Sequence, residues 1–407
     1  MNRIDKIKRF LDKTAEWSLY ILIFALFSKS LVEITIVTGL VSIIAKKLIA
    51  RERLLNGSRI DIFLYIFLLA SLISFINTSS IHLSLRAFFS KSLKFAALFL
   101  MTKEIINTKE KLNNFITMAL LSCAIILTDG FTQYYVTHKD FLLNYNSFLF
   151  VPGYSQGYLG VPTSSFPFPN DYAAWILVFI FPAGAFAVLG RRGLLKSIIA
   201  GAVSTGLFYT LMLTRVRGAL LGFLISFALM AILKLKRYGI ILLVIVLISM
   251  PLLDKSLLAH VQSVVSVKDR VVMWKNGWEI FKAHPVIGNG LNTFYVNYMN
   301  IRNDDLKGKH GSYAHNCYLQ MAAEIGITGL ISFLLFVTAI IAKTLKSLKT
   351  MTDPTYYSLT FGLTFGLVAY LLHSFVDTNL YSLNLAALFW VSAGLLLAAV
   401  KLSESNV

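Results

Sequence analysis

The chain has 407 residues, 57% of them hydrophobic and only 14% charged, with a mean hydropathy of +0.69. That balance excludes a large soluble enzyme and points to a polytopic membrane protein. The net charge of +18 does not point to nucleic acid, because Lys and Arg fall in short clusters between apolar runs, where they set topology and meet anionic lipid head groups.

Residues 1–16 read as a retained cytoplasmic segment with Ile4, Ile7, Phe10 and Leu11 as an interfacial stripe. Apolar runs long enough to cross about 30 Å of hydrocarbon follow at 17–34, 35–50, 60–77, 82–101, 114–135, 171–189, 194–213, 218–234, 238–253, 318–342, 356–375 and 382–400. The expected fold is therefore all-α and polytopic, with about twelve transmembrane helices. Nine lie within 17–253, a large loop spans 254–317, and three helices and a tail occupy 318–407.

Alternate loops carry the positive charge: Lys46, Lys47, Arg51 and Arg53, then Lys103, Lys109 and Lys111, then Arg191, Arg192 and Lys196, then Lys234, Lys236 and Arg237, then Lys343, Lys346 and Lys349. The rule that such loops stay inside puts them and both termini in the cytoplasm. The long connections 136–170 and 254–317 then face outward, to the periplasm or the extracellular side.

The first outer loop is rich in Pro and aromatic residues, including Phe148 to Tyr154 and Phe166-Pro167-Phe168-Pro169-Asn170-Asp171, which predicts an ordered, turn-rich surface with Asn170 or Asp171 capping the next helix. In the second, Asp269 can cap a short helix on which Val271, Trp274, Trp278 and Phe281 share a face, ended by His284-Pro285 and Gly288-Asn289-Gly290. That Gly-x-Gly is a weak phosphate loop, since no strand precedes it.

The polar interval from Asp254 to Gly329 interrupts an otherwise apolar chain, so the chemistry is expected there. His315 stands at the start of the tenth span beside Asn316, with Glu324 over two turns on and Gly326 and Gly329 allowing close helix packing. A neutral imidazole in that position can take a proton from an attacking hydroxyl. Arg215 and Arg217 occupy an outer edge otherwise kept free of positive charge, and Arg270 opens the loop helix; guanidinium forks suit phosphate. Arg86, Lys91 and Lys94 lie within the fourth apolar run, where charge is costly and normally faces a protein-lined or water-filled cavity.

His260, His284, His310 and His373 read as ordinary hydrogen-bonding residues, and Asp304-Asp305 as solvated. Of the two cysteines, Cys123 lies in an apolar run and Cys317 beside His315, so neither a disulfide framework nor a cysteine-based metal site is readable.

At these residues the sequence resembles the O-antigen ligase superfamily, most closely ligases of the WaaL type. The matching pieces are Arg217-Gly218-Ala219-Leu220-Leu221; Arg270 with Trp274 and His284-Pro285-x-x-Gly288-x-Gly290; His315-Asn316 followed by Gly326-Ile327-Thr328-Gly329; and Phe166-x-x-Pro169-Asn170-Asp171. The resemblance implies a GT-C-like inverting glycosyltransferase in the inner membrane. It would move a polysaccharide from undecaprenyl pyrophosphate to lipid A-core on the periplasmic side, without metal or cofactor. By the same resemblance His315 is the base and Arg217 and Arg270 clamp the pyrophosphate. Arg215, Arg86 and Lys94 are further donor contacts, and Asn316, Glu324 and Trp274 play supporting roles. A polymerase of the same superfamily and a polyprenol-linked sugar transporter are the rival readings.

Overall fold

The computed structural model describes residues 3–53, 57–139, 161–190, 193–238, 240, 241, 244, 267–301 and 313–404. Every regular element in its order is helical: α1 (Arg3–Phe24), α2 (Lys29–Ala50), α3 (Asp61–Ile73), α4 (Ile81–Ala87), α5 (Lys94–Ile105), α6 (Lys109–Thr132), α7 (Pro169–Leu189), α8 (Leu194–Thr214), α9 (Arg217–Leu235), α10 (Val267–Ala283), α11 (Phe294–Ile301), α12 (Cys317–Ser347), α13 (Pro354–His373) and α14 (Leu383–Glu404). A π-helical segment, Phe88–Leu93, joins α4 to α5.

Among the described residues, seven helices are long and apolar enough to cross a membrane: α6 with its continuation to Thr137, α7, α8, α9, α12, α13 and α14. Of the other expected crossings, 60–77 and 82–101 fall on α3 and the α4–α5 segment, but the boundary expected between 34 and 35 is wrong: α1 ends at Phe24 and α2 runs unbroken from Lys29 to Ala50, so the chain turns at 25–28. The ninth, 238–253, lies mostly outside the described residues, as do Phe148 to Tyr154, His260, Asp304-Asp305 and His310. The N-terminal segment is not a separate element: α1 runs unbroken from Arg3, with Ile4, Ile7 and Phe10 exposed on its first turns.

Helices α7, α13 and α14 are apolar around their whole circumference, which is the pattern of helices enclosed by others. They form the centre: α7 packs on α13 and α8, α9 on α13, and α14 on α5 and α13. Around them α1 packs on α2 and α6, and α3 on α12. Glycines set the closest approach, since a Cβ on Gly362 would stand 2.5 Å from Pro182 Cα and one on Gly366 2.6 Å from the Val178 carbonyl oxygen.

The two ends of the bundle differ in chemistry. At one end the lysines that the charge pattern places inside are taken up by carboxylates. Lys46 and Lys111 reach Asp12 at 2.5 and 2.9 Å, Lys47 reaches Glu104 at 3.2 Å, and Lys103 reaches the fully buried Asp61 at 2.6 Å. Lys109 pairs with Asp353, and Lys343 with Glu404. Since Asp353 caps the start of α13, the other end of that 20-residue helix, at His373, lies about 30 Å away. That far end carries the candidate site.

Candidate active site

α12 begins where Asn316 turns its side chain back to accept from the N–H groups of Tyr318 and Leu319, both at 3.0 Å. This is an N-cap, favoured for a short polar side chain in extended backbone. Its neighbour His315 is held in left-handed backbone, with φ at 48°. Two flanking groups secure that turn: Trp274 Nε1 on α10 donates to the His315 carbonyl oxygen at 3.3 Å, and Cys317 N donates to the Ser374 carbonyl oxygen at 2.9 Å.

The His315 ring is mostly buried, its side chain 22% exposed. Its Nδ1 is sealed from solvent and has no hydrogen-bond partner, but faces Asp377 Oδ1 at 4.0 Å. The remaining exposure therefore belongs to other atoms of the side chain. Burial pushes the imidazole pKa below the usual histidine value and the nearby Arg270 guanidinium acts in the same direction, while Asp377 opposes them. The ring is thus held neutral at neutral pH, with a carboxylate placed to stabilise the cation it becomes on accepting a proton.

Asp377 is the hub that the sequence does not reveal. It lies in the turn after α13, buried to 5% exposure, and accepts from Thr378 N at 2.7 Å and from the Asn170 amide. His373 Nε2 stands 3.8 Å from its second oxygen. On the other side of that ring the Asn379 amide donates to Nδ1 at 3.2 Å, which assigns the ring proton to Nε2, toward Asp377. His373 thus belongs to the cluster, and Asn170, rather than capping, reaches across to the turn after α13; α7 itself starts at Pro169 behind Phe168. One sequence signal was available: His373 and Asp377 are four residues apart at the end of an apolar run, a spacing that places both on one side of a helical turn.

The arginines approach from two sides. Arg217 is the first residue of α9 and is exposed; a Cβ on the adjacent Gly218 would strike Val376 and stand 3.1 Å from the His373 ring. Arg217 therefore opens its helix beside the turn that bears Asp377. Arg270 is half-buried on the first turn of α10, its Nε buried without a partner, and its charge is felt by His315. Arg215 sits in the left-handed turn between α8 and α9.

Two expected donor contacts lie apart. Lys94 ion-pairs with Glu33 of α2 at 2.5 Å, so its charge is already met, and Arg86 is exposed on α4. Among the described residues neither is joined to the His315 cluster by an ion pair. Lys91, the third cation of that run, turns inward instead and donates to Asn292 at 2.7 Å beside a cavity of about 70 Å³ that Glu324 also lines.

The glycine motifs do structural work. Gly326 breaks α12 with φ 73° and ψ 178°, a conformation essentially restricted to glycine. The break frees backbone groups on both sides, and the 284–290 loop takes them up. Asn289 N and Gly290 N donate to the Ala323 and Glu324 carbonyl oxygens at 3.1 and 2.9 Å, and Ile327 N donates to that of Pro285 at 2.8 Å. A Cβ at Gly326 would collide with the Val286 carbonyl oxygen, and one at Gly288 with that of Glu324. Both glycines are thus explained by backbone meeting backbone rather than by a phosphate.

The expected stripe of α10 is rotated. Met273, Gly277 and Ile280 are buried, while Val271 and Trp278 are exposed and Trp274 and Phe281 flank the contact. The register follows from the partner, since Gly277 lets α10 close on Leu319 of α12. Among the described residues, no three His, Cys, Asp or Glu side chains converge to hold a metal ion.

The fold defines the chain as an all-α polytopic membrane protein with a polar, imidazole-bearing site at one end of its bundle. The model of the family described as O-antigen ligase matches residues 202–334, so over that segment, which runs from α8 past His315 into α12, the chain carries the domain of the O-antigen ligase superfamily. Asp377 lies beyond the matched residues. No curated protein matches the chain.

Proposed function

We propose that the protein is a membrane glycosyltransferase that moves a glycan from undecaprenyl pyrophosphate to a sugar hydroxyl of lipid A-core, on the periplasmic face of the inner membrane. The observation that carries this reading is the pose of His315. One ring nitrogen is sealed against Asp377, the side chain keeps 22% exposure, the charge of Arg270 is felt by the ring, and Gly218, next to Arg217, closes on the turn that bears Asp377.

In the proposed step, a lone pair of the acceptor hydroxyl attacks the anomeric carbon as the bond to the pyrophosphate oxygen breaks on the opposite face, which inverts that centre. The hydroxyl proton passes to His315 Nε2, and Asp377 stabilises the resulting imidazolium. Arg217 and Arg270 meet the charge that grows on the departing pyrophosphate, so the reading requires no cofactor. Asn316 and Trp274 support His315 through the backbone, as a helix cap and a carbonyl hydrogen bond. Arg215 is placed for a lesser donor contact. Lys94 and Arg86 are left out, given the pairing of Lys94 with Glu33 and the exposure of Arg86 on α4.

The test is incubation of the purified protein with a lipid-linked glycan and core lipid, wild type against His315→Ala. Wild type should yield glycosylated core lipid and the variant none, with unchanged membrane insertion. Near wild-type product from His315→Ala would overturn the assignment, and product formed only on a second lipid-linked glycan would make the protein a polymerase.

A further inference from the structure

Behind His315 runs a continuous chain of hydrogen bonds, buried at its Ala314–Gln320–Glu324 end, that the proposed step does not use. Ala314 N donates to Gln320 Oε1 at 3.1 Å, Gln320 Nε2 donates to Glu324 Oε1 at 3.1 Å, and Asn292 N donates to Glu324 Oε2 at 2.9 Å. Lys91 Nζ closes it by donating to Asn292 Oδ1 at 2.7 Å. Ala314, Gln320 and Glu324 are at most 2% exposed. Lys91 reaches this interior from the π-helical segment, a rare irregularity that recurs at functional positions.

We propose that Glu324 is a positioning residue for His315, acting through Gln320 on the N–H of Ala314; this rests on His315 being the base. A carboxylate accepts at both oxygens and donates at neither. Glu324 therefore compels the Gln320 amide to present its NH2 inward and its oxygen to Ala314. That oxygen fixes the residue next to His315, whose left-handed backbone needs support from its surroundings. Lys91 and Asn292 supply the counter-charge and the second donor that make a carboxylate tenable in this interior.

In Glu324→Gln the new amide must turn its NH2 toward either Asn292 N or Gln320. In the first case two donors meet directly; in the second Gln320 turns over and its NH2 opposes the Ala314 N–H. In the exchanged pair Gln320→Glu with Glu324→Gln, the bonds to Ala314, Asn292 and between the two side chains are restored. Glu at 320 accepts from Ala314 and from the amide at 324, whose oxygen accepts from Asn292.

The experiment uses the full-length protein in lipid nanodiscs and follows carbethoxylation of His315 by diethyl pyrocarbonate, read by mass spectrometry across neutral pH, with exposed His284 as the internal reference. Glu324→Gln should raise His315 labelling several-fold as the ring leaves its half-buried pose, and the exchanged pair should bring it back. In transfer assays kcat should fall by about 100-fold in the single variant, the scale expected of a misplaced catalytic group, with donor KM nearly unchanged and recovery in the exchanged pair. Unchanged labelling in Glu324→Gln, or an exchanged pair no better than the single variant, would overturn the proposal. Labelling needs no substrate, so a failure of the transfer reading leaves this result standing.

Discussion

Replacing Asp377 by Asn tests the electrostatics of the site. His315 Nδ1 and Asp377 Oδ1 are 4.0 Å apart, with side chains 22% and 7% exposed. Unit charges at that separation interact by about 4 kcal/mol at an effective dielectric near 20 and by about 1 kcal/mol in water. A mostly buried pair falls between these limits, so the loss of the carboxylate should lower the His315 pKa and shift the profile measurably. The direction follows from the sign of the charge: Asp377 favours the imidazolium against burial and Arg270, so its removal leaves the ring harder to protonate. The acidic limb of kcat/KM, where the base is lost to protonation, should move to lower pH. The plateau kcat should also fall by about 100-fold, because the cation formed on proton uptake loses its partner. The amide at 377 must moreover turn its NH2 toward either Thr378 N or the Asn170 amide, both of which donate to the carboxylate. The assay is the pH profile of transfer from lipid-linked donor to core lipid. A limb that stays in place, or moves to higher pH, would refute the pairing.

Arg270→Gln should shift the same limb the other way, to higher pH, since a cation that disfavours the imidazolium is gone; a downward move would contradict the geometry. Arg217→Ala should abolish transfer or raise donor KM steeply while the protein still inserts, which a donor-titrated assay in membranes would show. Transfer should survive a chelator in excess over any divalent cation, because the guanidiniums already supply the positive charge; a strict metal requirement would break the arginine account. Gly326→Ala should cost about 1 to 3 kcal/mol from positive φ alone, with the collision against Val286 added, and lower the thermal midpoint by several degrees in detergent.

Much of the fold was legible because the signals are local. Apolar runs at 171–189, 194–213 and 218–234 became α7, α8 and α9 within two residues at each end. Lys46, Lys103, Lys109 and Lys343, from three of the expected clusters, do meet carboxylates toward one end of the bundle, at Asp12, Asp61, Asp353 and Glu404. What was not legible is long-range. Lys94 looked like a free cation because Glu33, its partner, is 61 residues away. Asn170 looked like a cap because nothing nearby in sequence reveals Asp377, 207 residues on. The α10 stripe was misjudged because Val271 and Trp278 are apolar enough to suggest burial, while Gly277, which carries no side chain, decides the contact. Gly326 looked like a packing residue because a helical pattern continues through it, and only the carbonyl groups of another segment show that the helix must break there.

That break also settles which part of the molecule His315 belongs to. The stub from Cys317 to Ile325 is tied by backbone bonds to the 284–290 segment and by Trp274 to the same layer as Arg270. His315 and Arg270 thus sit in one layer, while Arg217 on α9 and Asp377 after α13 belong to the bundle that meets it, with Cys317 N bonded to the Ser374 carbonyl oxygen across the join. The kink therefore separates the direction of the long stem of α12 from that of its first turns, so the cap at Asn316 and the turn at His315 take their setting from neighbours at that end and not from the path of the helix below.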